Sequence, residues 1–153
     1  MLYIATDHGG YQLKKYLLRY LKSQLKMKAV DLGPDHYDKE DDYPDFIIPL
    51  AKKVAKNKNN QGIVICRMGN GTNIAANKIK GIRAIIGYSI EAAEYGRRDN
   101  NANVLCLGGD VLSNDHAAAI VKKFLETGFD GGRHERRMNK IAAIEKWMSL
   151  RGA

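Results

Sequence analysis

The chain has 153 residues, 44% of them hydrophobic, which suits one domain with a full core and excludes a disordered chain. No run approaches the roughly 20 apolar residues that cross a bilayer. A formal charge of +8 admits either a nucleic-acid binder or a basic enzyme with an anionic substrate.

Leu2 to Thr6 is a short apolar run ending at Asp7-His8-Gly9-Gly10, a strand feeding a turn. It lacks the basic, apolar and small-residue succession of a secretory signal, so the cytoplasm is the expected compartment. Leu13, Tyr16, Leu17, Tyr20, Leu21 and Leu25 repeat at helical spacing. Lys14, Lys15, Arg19, Lys22, Lys26 and Lys28 lie mostly off that stripe, as a solvated face does. Lys28 to Leu32 is a second strand, closed by Gly33-Pro34. The acidic stretch from Asp35 to Asp45, with Asp35, His36, Asp38, Glu40, Asp41 and Asp42, has donors for a hard metal but lacks the EF-hand pattern, so it reads as a solvated loop. Pro44 suits the first turn of the next helix, whose inner face is Ile47, Leu50, Ala51, Val54 and Ala55. Lys52, Lys53, Lys56 and Lys58 again fall mostly outside. Gly62 to Cys66 is a strand apolar on both faces, as in a parallel sheet. A glycine-rich turn and a short helix through Ile74 to Lys78 follow. Ile82 to Gly87 is the fourth strand, and Ser89 caps the helix after it, with Glu91 in the first turn. Asn103 to Leu107 is the fifth strand. Ala117, Ile120, Val121, Phe124 and Leu125 mark another helix, and after Gly131-Gly132 a last helix carries Met138, Ile141, Ile144 and Met148. Strands alternating with helices predict an α/β fold of three layers, a five-stranded parallel sheet between helices, as one domain over residues 1–153. Ligands bind such sheets beyond the C-terminal strand ends.

The strongest local signal is Cys66-Arg67-Met68-Gly69-Asn70-Gly71-Thr72, where a buried strand ends at a thiol and a glycine turn enters a helix. Backbone N–H groups at such a turn can surround an anion or oxyanion. The segment is neither a P-loop nor the dinucleotide fingerprint. Residue type alone leaves Cys66 either a small core residue or a functional thiol, and leaves Asp7-His8 either a ligand contact or a helix cap beside an exposed imidazole. Arg133 and Arg137, four apart at the start of the last helix, form either a phosphate clamp or a solvated basic turn. Two cysteines fit a reduced compartment rather than a disulfide scaffold, and Cys106 reads as core. No zinc finger or aromatic-interleaved RNA motif is present, so neither a nucleic-acid nor a membrane partner is expected.

Together these residues resemble the ribose-5-phosphate isomerase type B family, which also includes the galactose-6-phosphate isomerase subunits. The resemblance runs through Asp7-His8-Gly9-Gly10, Asp42-Tyr43-Pro44-Asp45, Gly62 to Cys66, Gly69-Asn70-Gly71 and Ile74-Ala75-Ala76-Asn77-Lys78. It continues through Gly81-Ile82-Arg83-Ala84, Asn100 to Leu105 and Gly131-Gly132-Arg133-His134. It implies a Rossmann-like fold and a homodimer, or a tetramer, with active sites at the interface. The implied reaction is aldose–ketose isomerisation of a sugar phosphate without metal or organic cofactor. In that reading Cys66 moves the proton between C1 and C2, and the backbone of Arg67, Met68, Gly69, Asn70 and Gly71 holds the enediolate oxygen. Asp7, His8 and Asn100 contact the sugar, with His8 also near the phosphate, and Arg133 and Arg137 bind phosphate, at least partly from across the dimer.

Three positions depart from the family pattern. Asp99 stands where many members carry a ring-opening histidine. Asp110 replaces a frequent phosphate-binding arginine and would repel phosphate. Arg67-Met68 replaces a smaller Gly-Thr pair. The expected substrate is ribose 5-phosphate. The alternatives are another aldose phosphate, such as galactose 6-phosphate, or a protein that binds a sugar phosphate without turning it over.

Overall fold

A computed structural model describes residues 1–151. In chain order its elements are β1 (Leu2–Thr6), a single 3-10 turn (His8–Gly10), α1 (Tyr11–Ser23), β2 (Ala29–Asp31), α2 (Pro44–Ala55) and β3 (Gln61–Cys66). Then follow α3 (Asn70–Ala76), β4 (Ala84–Ile86), α4 (Ile90–Asn100), β5 (Val104–Gly108), α5 (Asn114–Glu126) and α6 (Arg133–Arg151). The five strands form one parallel sheet in the order β2-β1-β3-β5-β4. This is the predicted α/β fold of three layers.

Right-handed crossovers dictate which helix covers which face. The chain moves one way for β1→β2 and β4→β5, and the other way for β2→β3 and β3→β4. The core divides accordingly. Leu13, Leu17 and Leu21 of α1, Ala93 of α4 and Ile120, Val121 and Phe124 of α5 pack on Ile4, Ile63, Ile65, Leu105 and Leu107. Ile47, Leu50 and Val54 of α2 and Ala76 of α3 pack on Tyr3, Ala5, Val64 and Cys106. Alternate side chains of β3 thus enter opposite cores, as the pleat requires.

The caps follow the sequence. Ser89 Oγ accepts from the Ala92 N–H at the start of α4, and Pro44 opens α2. One expectation needs correction. Lys14 is not on a solvated face: it is 2% exposed, and its ammonium donates to an Asp31 carboxylate oxygen at 3.1 Å and the Pro34 carbonyl at 2.9 Å. Its four-carbon stem lets the helix bury the aliphatic part while the charge reaches β2. The last helix, conversely, leaves Ile141, Ile144 and Met148 exposed.

Candidate active site

The sheet reverses direction of growth between β1 and β3, and in open α/β sheets the crevice at such a switch point is where ligands sit. Asp7 leaves β1 there and Cys66 ends β3 there. Asp7 is 5% exposed, and its Oδ1 accepts from the Gly9 N–H at 2.9 Å. It is therefore the cap of the 3-10 turn and a carboxylate at the crevice at once. Burial pushes its carboxyl above the ordinary carboxylate range, against the Gly9 hydrogen bond and the His8 charge that pull it down.

Cys66 points to the α2–α3 side and is 7% exposed. Its Sγ accepts from the Gly69 N–H at 3.1 Å and lies 3.7 Å from Thr72 Oγ1, whose hydroxyl donates to the Gly69 carbonyl at 3.0 Å. Gly69 makes this geometry possible. Its φ of 84° lies in the left-handed region, where a side chain costs roughly 1–2 kcal/mol. The chain folds back so that its own amide meets the sulfur. The first N–H groups of α3, at Asn70 and Gly71, have no carbonyl behind them in the helix and are donors for an oxyanion. Gly71 lies beneath Tyr43: a methyl there would meet Tyr43 Cζ at 2.7 Å. Tyr43 thereby joins the wall of the site.

Arg67 runs over Gly9, whose added methyl would collide with its Cγ. Its Nε donates to Asp110 Oδ2 at 2.7 Å, and the Asp110 N–H donates to the Arg67 carbonyl at 3.0 Å. This corrects the expectation for Asp110. Its charge is met by Arg67, so it does not stand as a bare repulsive carboxylate. Met68 is exposed on the same turn.

The acidic loop also needs correction. Asp41 is not solvated: its side chain is 9% exposed and its Oδ1 accepts from the His8 backbone N–H at 2.9 Å and contacts His8 Nδ1 at 2.7 Å. Ligand atoms of Asp7, His8 and Asp41 lie within 4.8 Å of one another, the one cluster among the described residues with the donors for a metal ion. Asp7 is engaged by the Gly9 N–H, and His8 by Asp41.

The remaining expected residues lie elsewhere. Asp99 and Asn100 end α4, and β5 begins just after them at Val104, which pairs with Gly62; Cys66 pairs with Gly108 at the far end. The strand's length, roughly 15 Å at about 3.3 Å per residue, separates the two edges. Arg133 and Arg137 start α6 on this second edge, as the Asp130 N–H bond to the Arg98 carbonyl and the 3.6 Å contact of His134 Nε2 with Asp99 Oδ1 require. Each chain thus carries two separate groups: Asp7, His8 and residues 66–72 at one edge, and Asp99, Asn100, Arg133 and Arg137 at the other.

Sequence reasoning singled out neither Asp41 nor Tyr43 as part of the site. Tyr43 stands inside Asp42-Tyr43-Pro44-Asp45, one of the segments that carry the family resemblance, which was a usable signal. Asp41 was visible only as one acid among several in the loop, because its partner lies 33 residues away.

Residues 2–141 match the family model described as Ribose/Galactose Isomerase. A probable ribose-5-phosphate isomerase B of Mycoplasma genitalium is 44% identical over 146 residues, covering 95% of each chain. The ribose-5-phosphate isomerase B of Mycobacterium tuberculosis is 37% identical, over 95% of this chain and 90% of its own. Among solved structures, the Mycoplasma genitalium ribose-5-phosphate isomerase B with bound ribulose-5-phosphate superposes with a TM-score of 0.91 at 44% identity, covering 95% of each chain. That of Clostridium thermocellum superposes with a TM-score of 0.91 at 41% identity, over 96% of this chain and 98% of its own.

Proposed function

The chain belongs to the ribose/galactose isomerase family, and on that footing we propose that it interconverts ribose 5-phosphate and ribulose 5-phosphate with Cys66 as the base. Isomerisation must remove a proton from the carbon next to a carbonyl, which is weakly acidic. That needs a base in contact and donors aimed at the developing oxyanion. The Cys66 thiolate takes the proton from C2 of the open-chain aldose. The electrons shift to O1, giving an enediolate held by the N–H groups of Asn70 and Gly71. The proton returns at C1, the O2 proton passes to O1, and C2 becomes the ketone. Asp7 and His8 hold the sugar, with His8 also reaching its phosphate, and Arg67, supported by Asp110, adds a guanidinium to the phosphate side.

The observation that carries this reading is the 3.1 Å hydrogen bond from Gly69 to the Cys66 sulfur, which puts a thiol and amide donors on one turn at the switch point. Turnover of ribose 5-phosphate by purified protein, lost in Cys66→Ala, is the expected result. Full activity in the folded variant would remove Cys66 from the role. Relative kcat/KM over pentose and hexose phosphates tests the choice of sugar.

The working unit in this reading is a homodimer. Asn100, Arg133 and Arg137 cannot meet Cys66 across the length of β5, so a second copy supplies them. The exposed Ile141, Ile144 and Met148 of α6 give such a pairing apolar surface to bury.

A further inference from the structure

We propose that Asp41 is the positioning residue of this site: it fixes His8 as a cation that receives the phosphate of the substrate. The inference rests on the ribose 5-phosphate reading above and adds a residue to it.

One carboxylate oxygen holds His8 twice. Asp41 Oδ1 accepts from the backbone N–H and from the ring at Nδ1, so the main chain and the imidazole are locked together. With Nδ1–H turned to Asp41, Nε2 is the nitrogen left for a ligand, and the side chain is 25% exposed. The other oxygen, Oδ2, is buried and has no hydrogen-bond partner. A buried carboxylate lacking donors is unfavourable unless a cation lies against it. The imidazole at 2.7 Å is placed to be that cation. Breaking such a pair would leave both charges uncompensated, so the geometry itself favours the protonated ring.

The surroundings act in both directions. Asp7 adjoins His8 on the chain and favours the cation. Tyr37 meets the ring edge-on, with centroids 6.3 Å apart, and Tyr37 in turn packs on Tyr11 of α1. Lys14 and Lys15 lie over that Tyr11 ring, and Lys14 is neutralised by Asp31. Arg67, over Gly9, opposes a second cation but is paired with Asp110. On balance His8 is held above the ordinary histidine range, the hydrogen bond to Asp41 being the largest cause and partial burial the opposing one.

The test compares wild type, Asp41→Asn and Asp41→Glu. The asparagine variant keeps an acceptor at nearly the same place but removes the charge. Kinetics on ribose 5-phosphate from pH 6 to pH 8.5 are expected to show a KM ratio of variant to wild type of about tenfold at the alkaline end. The ratio shrinks toward one at pH 6, where the free imidazole protonates by itself. The kcat falls less than KM rises, and Asp41→Glu recovers part of the loss. In parallel, NMR titration of the His8 ring in ligand-free protein should give a midpoint that drops in Asp41→Asn, and inorganic phosphate should perturb the ring signals more in wild type. A KM ratio independent of pH with an unmoved His8 midpoint would overturn the proposal. So would a wild-type His8 that titrates at or below the ordinary value, which needs no variant to fold. A wild type inactive on ribose 5-phosphate would instead sink the functional reading, with the His8 titration and phosphate response still deciding for or against Asp41.

Discussion

Cys66 and Cys106 lie on adjacent strands and are both buried, yet their surroundings make them different reagents. Cys106 is fully enclosed, and burial pushes its thiol far above the ordinary range. Cys66 sits at a strand end with the Gly69 amide aimed at its sulfur. Cys66→Ala is therefore expected to lower kcat by about 10³-fold or more, whereas Cys106→Ala keeps kcat within a few-fold and costs roughly 1–2 kcal/mol of stability; steady-state kinetics and urea melts of both check this. Asp7 shows the opposite tension, between fold and function. Its carboxyl is raised by burial, so the folded chain binds that proton more readily than the unfolded one. Stability from that preference is complete below the unfolded value of 3.8 and is lost as pH rises through the folded one. Asp7→Asn should then match or exceed wild-type stability at pH 7 and lose that advantage near pH 3, while kcat/KM falls about tenfold to a hundredfold. A variant both less stable at pH 7 and fully active would contradict both parts.

At the scale of elements, the turn between β3 and α3 couples backbone shape to chemistry. Gly69→Ala should cost roughly 1–2 kcal/mol, because φ of 84° opposes a side chain. It should also lower kcat more than it raises KM, since the amide that meets Cys66 would move; chemical denaturation and kinetics test the two parts. This turn was legible in the sequence, because glycines after a doubly apolar strand announce it. So were the five strands, with ends displaced by a residue or two: β2 runs Ala29–Asp31 where Lys28 to Leu32 was expected, and β5 ends at Gly108 where Leu107 was expected. Local pattern fixes which residues alternate, but hydrogen bonding to neighbouring strands decides where pairing stops. Lys14 and Asp41 were not legible. Both look like ordinary surface charges, and only partners from distant segments, Asp31 and His8, make their burial possible. The Arg67–Asp110 pair was half legible: each charge was visible as a departure, but not that the two meet.

The whole molecule explains why the expected site residues divide into two sets. A crossover helix that starts at the C-terminal edge of the sheet must end at the opposite edge, so Asn100 at the end of α4 is carried away from Cys66 by topology alone. The dimer reading makes a sharp prediction from this. Cys66→Ala and Arg133→Ala, each inactive, should restore about a quarter of wild-type activity when unfolded and refolded as an equal mixture, because half of the dimers are mixed and each has one intact site. Refolded mixtures as inactive as the separate variants would place each site within one chain. The two-edged layout, combined with the exposed apolar residues of α6, also reaches into how the enzyme responds to its own abundance. In the dimer reading, a solitary chain holds two halves of different sites and no whole one. Output is then proportional to protein only while association is saturated. On dilution below the dissociation constant it falls toward the square of concentration, and supply of the chain itself becomes a throttle on flux.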